Sequence, residues 1–202
     1  MGAGAGPVRL PPHAAGMRIG LFGGSFDPPH AGHLLASRLA LTRLRLDRLW
    51  WLVTPGNPLK DRRQPAPLAD RLLEARRLAR DPRIVVTDIE ARLGLRYTAD
   101  LIAYLRGHCP GVRFVWIMGT DNLLQFHRWR RWESIMRQVP VAVIDRPGTS
   151  LKAPTAKAAR RFASARLPQT AGKRLAVAKP PALVIVHGPR STQSSSALRA
   201  ER

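Results

Sequence analysis

One block constrains the fold more than any other: Gly23-Gly24-Ser25-Phe26-Asp27-Pro28-Pro29-His30-Ala31-Gly32-His33, set between an apolar run and a helical pattern. Upstream, Met17 to Phe22 (MRIGLF) reads as a buried strand that stops at the glycine pair. Downstream, Leu34, Leu35, Leu39, Leu41 and Leu46 recur at roughly helical spacing among Arg38, Arg43 and Arg45. The order is strand, glycine loop, helix, the opening unit of a parallel α/β sheet.

Each part of the block has a physical use. Two glycines let the backbone pass close to a phosphate chain, and the start of the following helix supplies free N–H groups and a positive dipole for anions. His30 and His33 stand three apart in the first helical turn, so they project on one side, where each can donate a hydrogen bond to a phosphate oxygen. Gly32 between them removes a side chain from that approach. Metal ligation is the competing use of two histidines. It is disfavoured because two ligands do not close a zinc site, the one cysteine, Cys109, is far along the chain, and no HExxH pattern occurs.

The rest of the chain alternates in the same way. Strands are expected at Arg48 to Thr54, Arg83 to Asp88, Val112 to Met118, Pro140 to Ile144 and Leu183 to His187. Helices are expected at Leu68 to Arg80, Tyr97 to Arg106 and Trp129 to Arg137. Strands alternating with helices imply right-handed crossovers, and so a doubly wound α/β fold with a mainly parallel sheet and helices on both faces. Residues 1–16, rich in Gly, Ala and Pro, read as a flexible leader, and 17–202 as a single domain. Thr149 to Pro181 carries many Ala, Lys and Arg residues, no strand signal and one weak helix, Ala156 to Ala165. It is expected to be a mobile basic insert.

Charge narrows the partners less than its size implies. Lys plus Arg number 34 against 13 Asp plus Glu, a formal +21, which attracts polyanions and phosphorylated ligands. Only Lys60, Lys152, Lys157, Lys173 and Lys179 are lysines. The arginines are scattered along most of the chain rather than gathered in one tract, as an arginine-biased codon usage would also produce. A nucleic-acid-binding protein is the reading of a different class. It lacks zinc-finger spacing and an aromatic RNA-binding signature in this sequence. One cysteine excludes an intrachain disulfide framework, and no apolar run approaches the roughly 20 residues of a membrane span, so a cytoplasmic protein without membrane attachment is expected.

Beyond these physical readings, GGSFDPPHAGH resembles the GxFDPxHxGH signature of the nucleotidyltransferase superfamily that includes the nicotinate-nucleotide, pantetheine-phosphate and glycerol-phosphate enzymes. Further stretches resemble the nicotinate-nucleotide branch. They are Pro55-Gly56-Asn57-Pro58-Leu59-Lys60, Arg96-Tyr97-Thr98-Ala99-Asp100, Gly119-Thr120-Asp121-Asn122-Leu123 with Phe126 and Trp129, and Arg146-Pro147-Gly148. Near the end, Ser194-Ser195-Ser196-Ala197-Leu198-Arg199 is similar to the ISSTxIR motif. Gln193 replaces its first Ile, Ser196 its Thr and Leu198 its second Ile.

The resemblance implies a Rossmann-like nucleotidyltransferase that joins the AMP part of ATP to nicotinate mononucleotide and releases pyrophosphate. It implies catalytic roles for His30, His33, Lys60 and Arg199, and ATP contacts from Gly23, Gly24, Ser25, Phe26, Gly119, Asp121, Ser195 and Ser196. Thr98, Trp129 and Arg130 are implied to meet nicotinate mononucleotide, Trp129 by stacking on the pyridine ring and Arg130 near its carboxylate. Mg²⁺ is expected to be held mainly by ATP phosphates and water, with no protein-built metal site. A sister enzyme acting on phosphopantetheine is the nearer alternative, and the sequence leaves the oligomeric state open.

Overall fold

The computed structural model describes residues 8–56, 65–145 and 153–188. Among them, seven strands form one sheet: β1 (Arg18–Gly24), β2 (Arg48–Val53), β3 (Ile84–Thr87), β4 (Arg113–Gly119), β5 (Val141–Ile144), β6 (Arg166–Leu167) and β7 (Leu183–Val186). Their order is β3-β2-β1-β4-β5-β7-β6, and every neighbouring pair is parallel. The central strands are buried on both faces, which is why β2 and β4 read as continuous apolar runs rather than alternating ones. From β1 the chain winds outward through β2 to β3. It then crosses back to set β4 on the other side of β1, and this reversal opens a crevice at the carboxyl ends of β1 and β4, where ligands bind in open α/β sheets.

Among the described residues, seven α-helices cover the two faces: α1 (Ala31–Arg43), α2 (Leu68–Leu78), α3 (Ile89–Arg92), α4 (Thr98–His108), α5 (Thr120–Gln125), α6 (Trp132–Gln138) and α7 (Lys157–Arg161). Ile19, Leu21, Trp50, Trp116 and Met118 point to one core with α4 and α7 residues, while Phe22, Trp51, Val115 and Ile117 point to another with α1 and α2 residues. Strand alternation divides the two cores, because successive residues face opposite sides. Among the described residues, no helix is long and apolar enough to cross a membrane.

Four local expectations are corrected. The buried face of α1 is His33, Ala36, Ser37, Ala40 and Leu41; of the leucine series in the helix only Leu41 is fully buried, Leu34, Leu35 and Leu39 being partly buried, and Leu46 lies outside the helix. Small side chains let α1 settle close to a sheet already filled by Trp51 and Phe22. Arg45, in a left-handed conformation at φ 51°, then turns the chain into β2. The helix expected at Trp129 starts instead at Trp132, because Arg131 is also left-handed at φ 53°. The residues before it form α5 and a 3-10 turn, Phe126–Arg128.

The segment 149–181 is no mobile insert over its described part. Ala153, Ala158, Ala159 and Phe162 are buried in the first core, and Leu175 and Ala176, on a 3-10 helix from Gln169 to Val177, are buried in the second. Alanine at spaced positions buries a face among exposed Lys and Arg, a signal too weak to see by periodicity. Residues 8–16, expected to stand outside the fold, are also in contact with it. Val8 and Leu10 pack on the first core, His13 meets the Trp50 ring edge-on at 6.2 Å, and Gly16 N–H donates to the Gly111 carbonyl at 2.9 Å.

Candidate active site

The glycine block sits at the carboxyl end of β1, beside the crevice between β1 and β4. His30 is the N-cap of α1: its backbone is extended, and its Nδ1 accepts the Gly32 N–H at 3.1 Å. His33, at the third helical position, returns the arrangement, its Nδ1 accepting the His30 N–H at 3.2 Å. Two histidines therefore build the reciprocal cap that a Ser/Thr and Glu pair makes elsewhere. A neutral imidazole that accepts at Nδ1 carries its proton on Nε2. Capping thus sets both side chains in the tautomer whose distal nitrogen is a donor, at the positive end of a 13-residue helix.

Aromatic packing fixes the His33 ring. Its centroid lies 4.7 Å from Phe26 and 3.9 Å from His30, and Phe26 in turn stacks on Trp51 at 4.8 Å. Ser37 Oγ donates to the His33 carbonyl at 2.7 Å and accepts from Trp51 Nε1 at 2.8 Å, tying helix to strand beneath the ring. Phe26 is fully buried and left-handed at φ 47°. Its ring supports His33 from within the core. Gly23 has a reason beyond phosphate approach, since a Cβ there would lie 2.7 Å from Trp116 Cη2.

On the β4 side, Gly119 precedes α5 as its N-cap residue, and Asp121 is exposed in the first turn. Thr120 is buried and its hydroxyl reaches the Ile144 carbonyl at 3.4 Å, joining the ends of β4 and β5. Thr98, half-buried, opens α4. The structure brings its segment to that of Trp129 and Arg130: Arg130 Cζ lies 4.7 Å from the Tyr97 ring centroid, and Arg131 pairs with Asp100. Trp129 is partly buried, with Trp116 and Phe126 edge-on at 6.1 and 5.3 Å. Trp116 touches both sides of the site, its six-membered ring against Gly23 and its indole against Trp129. The sites expected from separate motifs are thereby linked through one core side chain.

Lys60, Ser195, Ser196 and Arg199, together with Arg146 to Gly148, lie outside the described residues. Sequence reasoning missed Arg71, which is buried in α2 and donates to carbonyls after both β1 and β2. An arginine in an Arg-rich amphipathic helix reads as solvated, and no sequence signal marks this one. Among the described residues, no group of three or more His, Cys, Asp or Glu side chains could hold a metal ion.

The parallel sheet has its crevice between β1 and β4 with the histidine-capped helix beside it, the place where open α/β sheets bind ligands. Residues 21–201 match the family model described as cytidylyltransferase-like. The chain is 60% identical over 183 residues to a probable nicotinate-nucleotide adenylyltransferase of Methylorubrum extorquens, covering 91% of this chain and 99% of that one. It is 61% identical over 184 residues to a protein of the same description in Cereibacter sphaeroides, with 91% and 97% covered. The chain belongs to the cytidylyltransferase-like family, within its nicotinate-nucleotide adenylyltransferase group. A solved structure titled Plasmodium falciparum nicotinic acid mononucleotide adenylyltransferase complexed with NaAD shares the fold. Its TM-score is 0.67 at 17% identity, covering 91% of this chain and 83% of that one.

Proposed function

We propose that this protein transfers the adenylyl group of MgATP to nicotinate mononucleotide, giving nicotinate adenine dinucleotide and pyrophosphate. The observation that carries the reading is the reciprocal histidine cap, which holds two imidazole donors at a helix N-terminus beside the β1–β4 crevice. The 5′-phosphate oxygen of nicotinate mononucleotide attacks the α-phosphorus of ATP. The bond from that phosphorus to the α–β bridging oxygen breaks, and pyrophosphate leaves with the electron pair. No side-chain nucleophile is needed, and catalysis comes from holding two anions in line and stabilising charge as it shifts to the leaving group.

His30 and His33 donate through Nε2 to the triphosphate, and the amides at the start of α1 add to the field. Lys60 and Arg199 are assigned to the phosphates, Ser195 and Ser196 to the triphosphate, and Gly119 with Asp121 to the adenosine side. Thr98, Trp129 and Arg130 are assigned to the pyridine nucleotide, a role supported by the contact of Arg130 with Tyr97, the neighbour of Thr98. Mg²⁺ enters as part of the substrate, carried by the triphosphate and water. A cytoplasmic location belongs to the same reading, because ATP is a substrate and the single cysteine, Cys109, is a buried free thiol.

The test is pyrophosphate release from MgATP with nicotinate mononucleotide, nicotinamide mononucleotide or phosphopantetheine offered separately. Release that depends on nicotinate mononucleotide is the expected result. Release with phosphopantetheine alone overturns the substrate, and release with none overturns the activity.

A further inference from the structure

Arg71 is the one arginine among the buried described residues, 2% exposed. Its guanidinium hydrogen bonds go to backbone: Nε donates to the Ala66 carbonyl at 2.8 Å, and Nη1 to the carbonyls of Ser25 at 2.7 Å and Thr54 at 2.8 Å. Nη2 reaches the Pro55 carbonyl at 3.5 Å. These acceptors belong to three pieces of chain. Ser25 follows β1 in the glycine block, Thr54 and Pro55 follow β2, and Ala66 precedes α2.

Burial pulls Arg71 below the ordinary arginine range, and the nearby Asp27 carboxylate opposes that fall. A buried cation whose hydrogen bonds go to neutral carbonyls is a costly way to fill space, and an apolar side chain of similar length would pack at lower cost. The arrangement makes sense as a device for holding backbone next to an anion.

We propose that Arg71 is a positioning residue for the triphosphate, fixing the Ser25–Phe26 peptide and adding a buried positive charge behind the glycine block. The ligand named here rests on the adenylyltransferase reading. The carbonyl and N–H of a trans peptide point to opposite sides. With the Ser25 carbonyl held by Arg71, the Phe26 N–H is turned away from α2. Phe26 itself is left-handed at φ 47°, a conformation that a phenylalanine keeps only when its surroundings over-determine it. Two such constraints act on it, the Phe26 ring stacked on Trp51 from one side and the Arg71 fork on the preceding carbonyl from the other. Lysine cannot replace the fork, since its donors radiate from one nitrogen whereas guanidinium presents five N–H groups in a plane.

The experiment compares wild type, Arg71→Lys and Arg71→Met. It measures binding of the non-reactive analogue α,β-methylene ATP with Mg²⁺, steady-state kinetics for each substrate, thermal melting, and amide hydrogen exchange of the peptide spanning 22–29. Arg71→Lys is expected to melt close to wild type, bind the analogue about 10- to 100-fold more weakly, and lose kcat/KM for ATP by a similar factor. Its KM for nicotinate mononucleotide stays within about threefold, and exchange at 22–29 quickens. Arg71→Met is expected to show the same split; if it fails to fold, the lysine variant decides. Wild-type analogue binding and exchange in a folded Arg71→Lys overturn the proposal, as do equal losses for both substrates that track a lowered melting temperature. Should the wild type release no pyrophosphate with nicotinate mononucleotide, the adenylyl-transfer reading fails, while analogue binding and exchange still decide the role of Arg71.

Discussion

His33 does two things through two nitrogens, and the structure shows how to separate them. Nδ1 caps α1 by accepting the His30 N–H at 3.2 Å, while Nε2 is assigned to the triphosphate. Asparagine carries its Oδ1 on Cγ, the same bonded position as Nδ1, so His33→Asn keeps an acceptor for the cap and deletes the distal donor. Alanine carries neither group, so His33→Ala loses both the cap acceptor and the distal donor. Both variants lose the ring packing against Phe26, so their difference in stability reads mainly the cap, and their shared loss of activity reads the distal donor. Losing the N3 arm of this capping box costs up to about 1 kcal/mol, and for a chain of this size 1 kcal/mol lowers Tm by about 2–4 °C. Loss of one donor to a developing oxyanion costs on the order of 10²–10³ in kcat, or about 3–4 kcal/mol.

The two readouts are therefore expected to separate. His33→Asn melts about 2–4 °C above His33→Ala, yet both have a kcat/KM lower than wild type by on the order of 100-fold or more. Differential scanning fluorimetry and the pyrophosphate-release assay read the two axes separately. A His33→Asn enzyme within about tenfold of wild type would refute the assignment of Nε2 to the transition state. A lower melting temperature in His33→Asn than in His33→Ala would refute the capping argument.

The geometry makes three other outcomes testable. Gly23→Ala places a Cβ 2.7 Å from the Trp116 ring, a rigid buried neighbour, and is expected to cost about 1–3 kcal/mol by chemical denaturation; an unchanged stability would show that Trp116 can shift freely. Glu90 is buried and its carboxyl is pushed up by desolvation from 4.5 to about 7, so the folded state holds a proton that the unfolded state releases. Stability is then expected to fall as pH rises from about 4.5 to 7, by roughly 3 kcal/mol at most, and Glu90→Gln should flatten that slope; identical pH profiles for the two proteins would contradict it. Arg130→Ala is expected to change stability by less than about 1 kcal/mol, since its stacking on Tyr97 is at the surface. It should raise KM about tenfold for nicotinate mononucleotide but not for nicotinamide mononucleotide, which lacks the carboxylate; equal effects on both substrates would remove Arg130 from carboxylate recognition.

The sheet was legible because parallel strands buried on both faces leave short apolar runs that composition alone picks out, as in RLWWLV and RFVWIM. Helix boundaries were less so. The 3.6-residue period cannot see a single left-handed arginine, and Arg45 and Arg131 moved two boundaries. Alanine faces escaped for a related reason, since Ala158 and Ala159 bury little area each and stand among strongly charged neighbours.

Residue order by itself determined local chemistry. A strand ending in glycines, a histidine pair at a helix start and a run of motifs are all properties of neighbours along the chain, so they could be read before any fold was known. Which of those neighbours meet in space was decided by the crossover that returns the chain from β3 to β4 and sets Gly23 against Trp116, with Trp129 behind it. The same holds for Arg71. In sequence it is one arginine among many on an amphipathic helix, and only packing against the ends of β1 and β2 removes it from water and aims its donors at the Ser25 and Thr54 carbonyls. Burial is a property of the folded surface, and a side chain's partners across 46 residues of chain cannot be inferred from its own flanks.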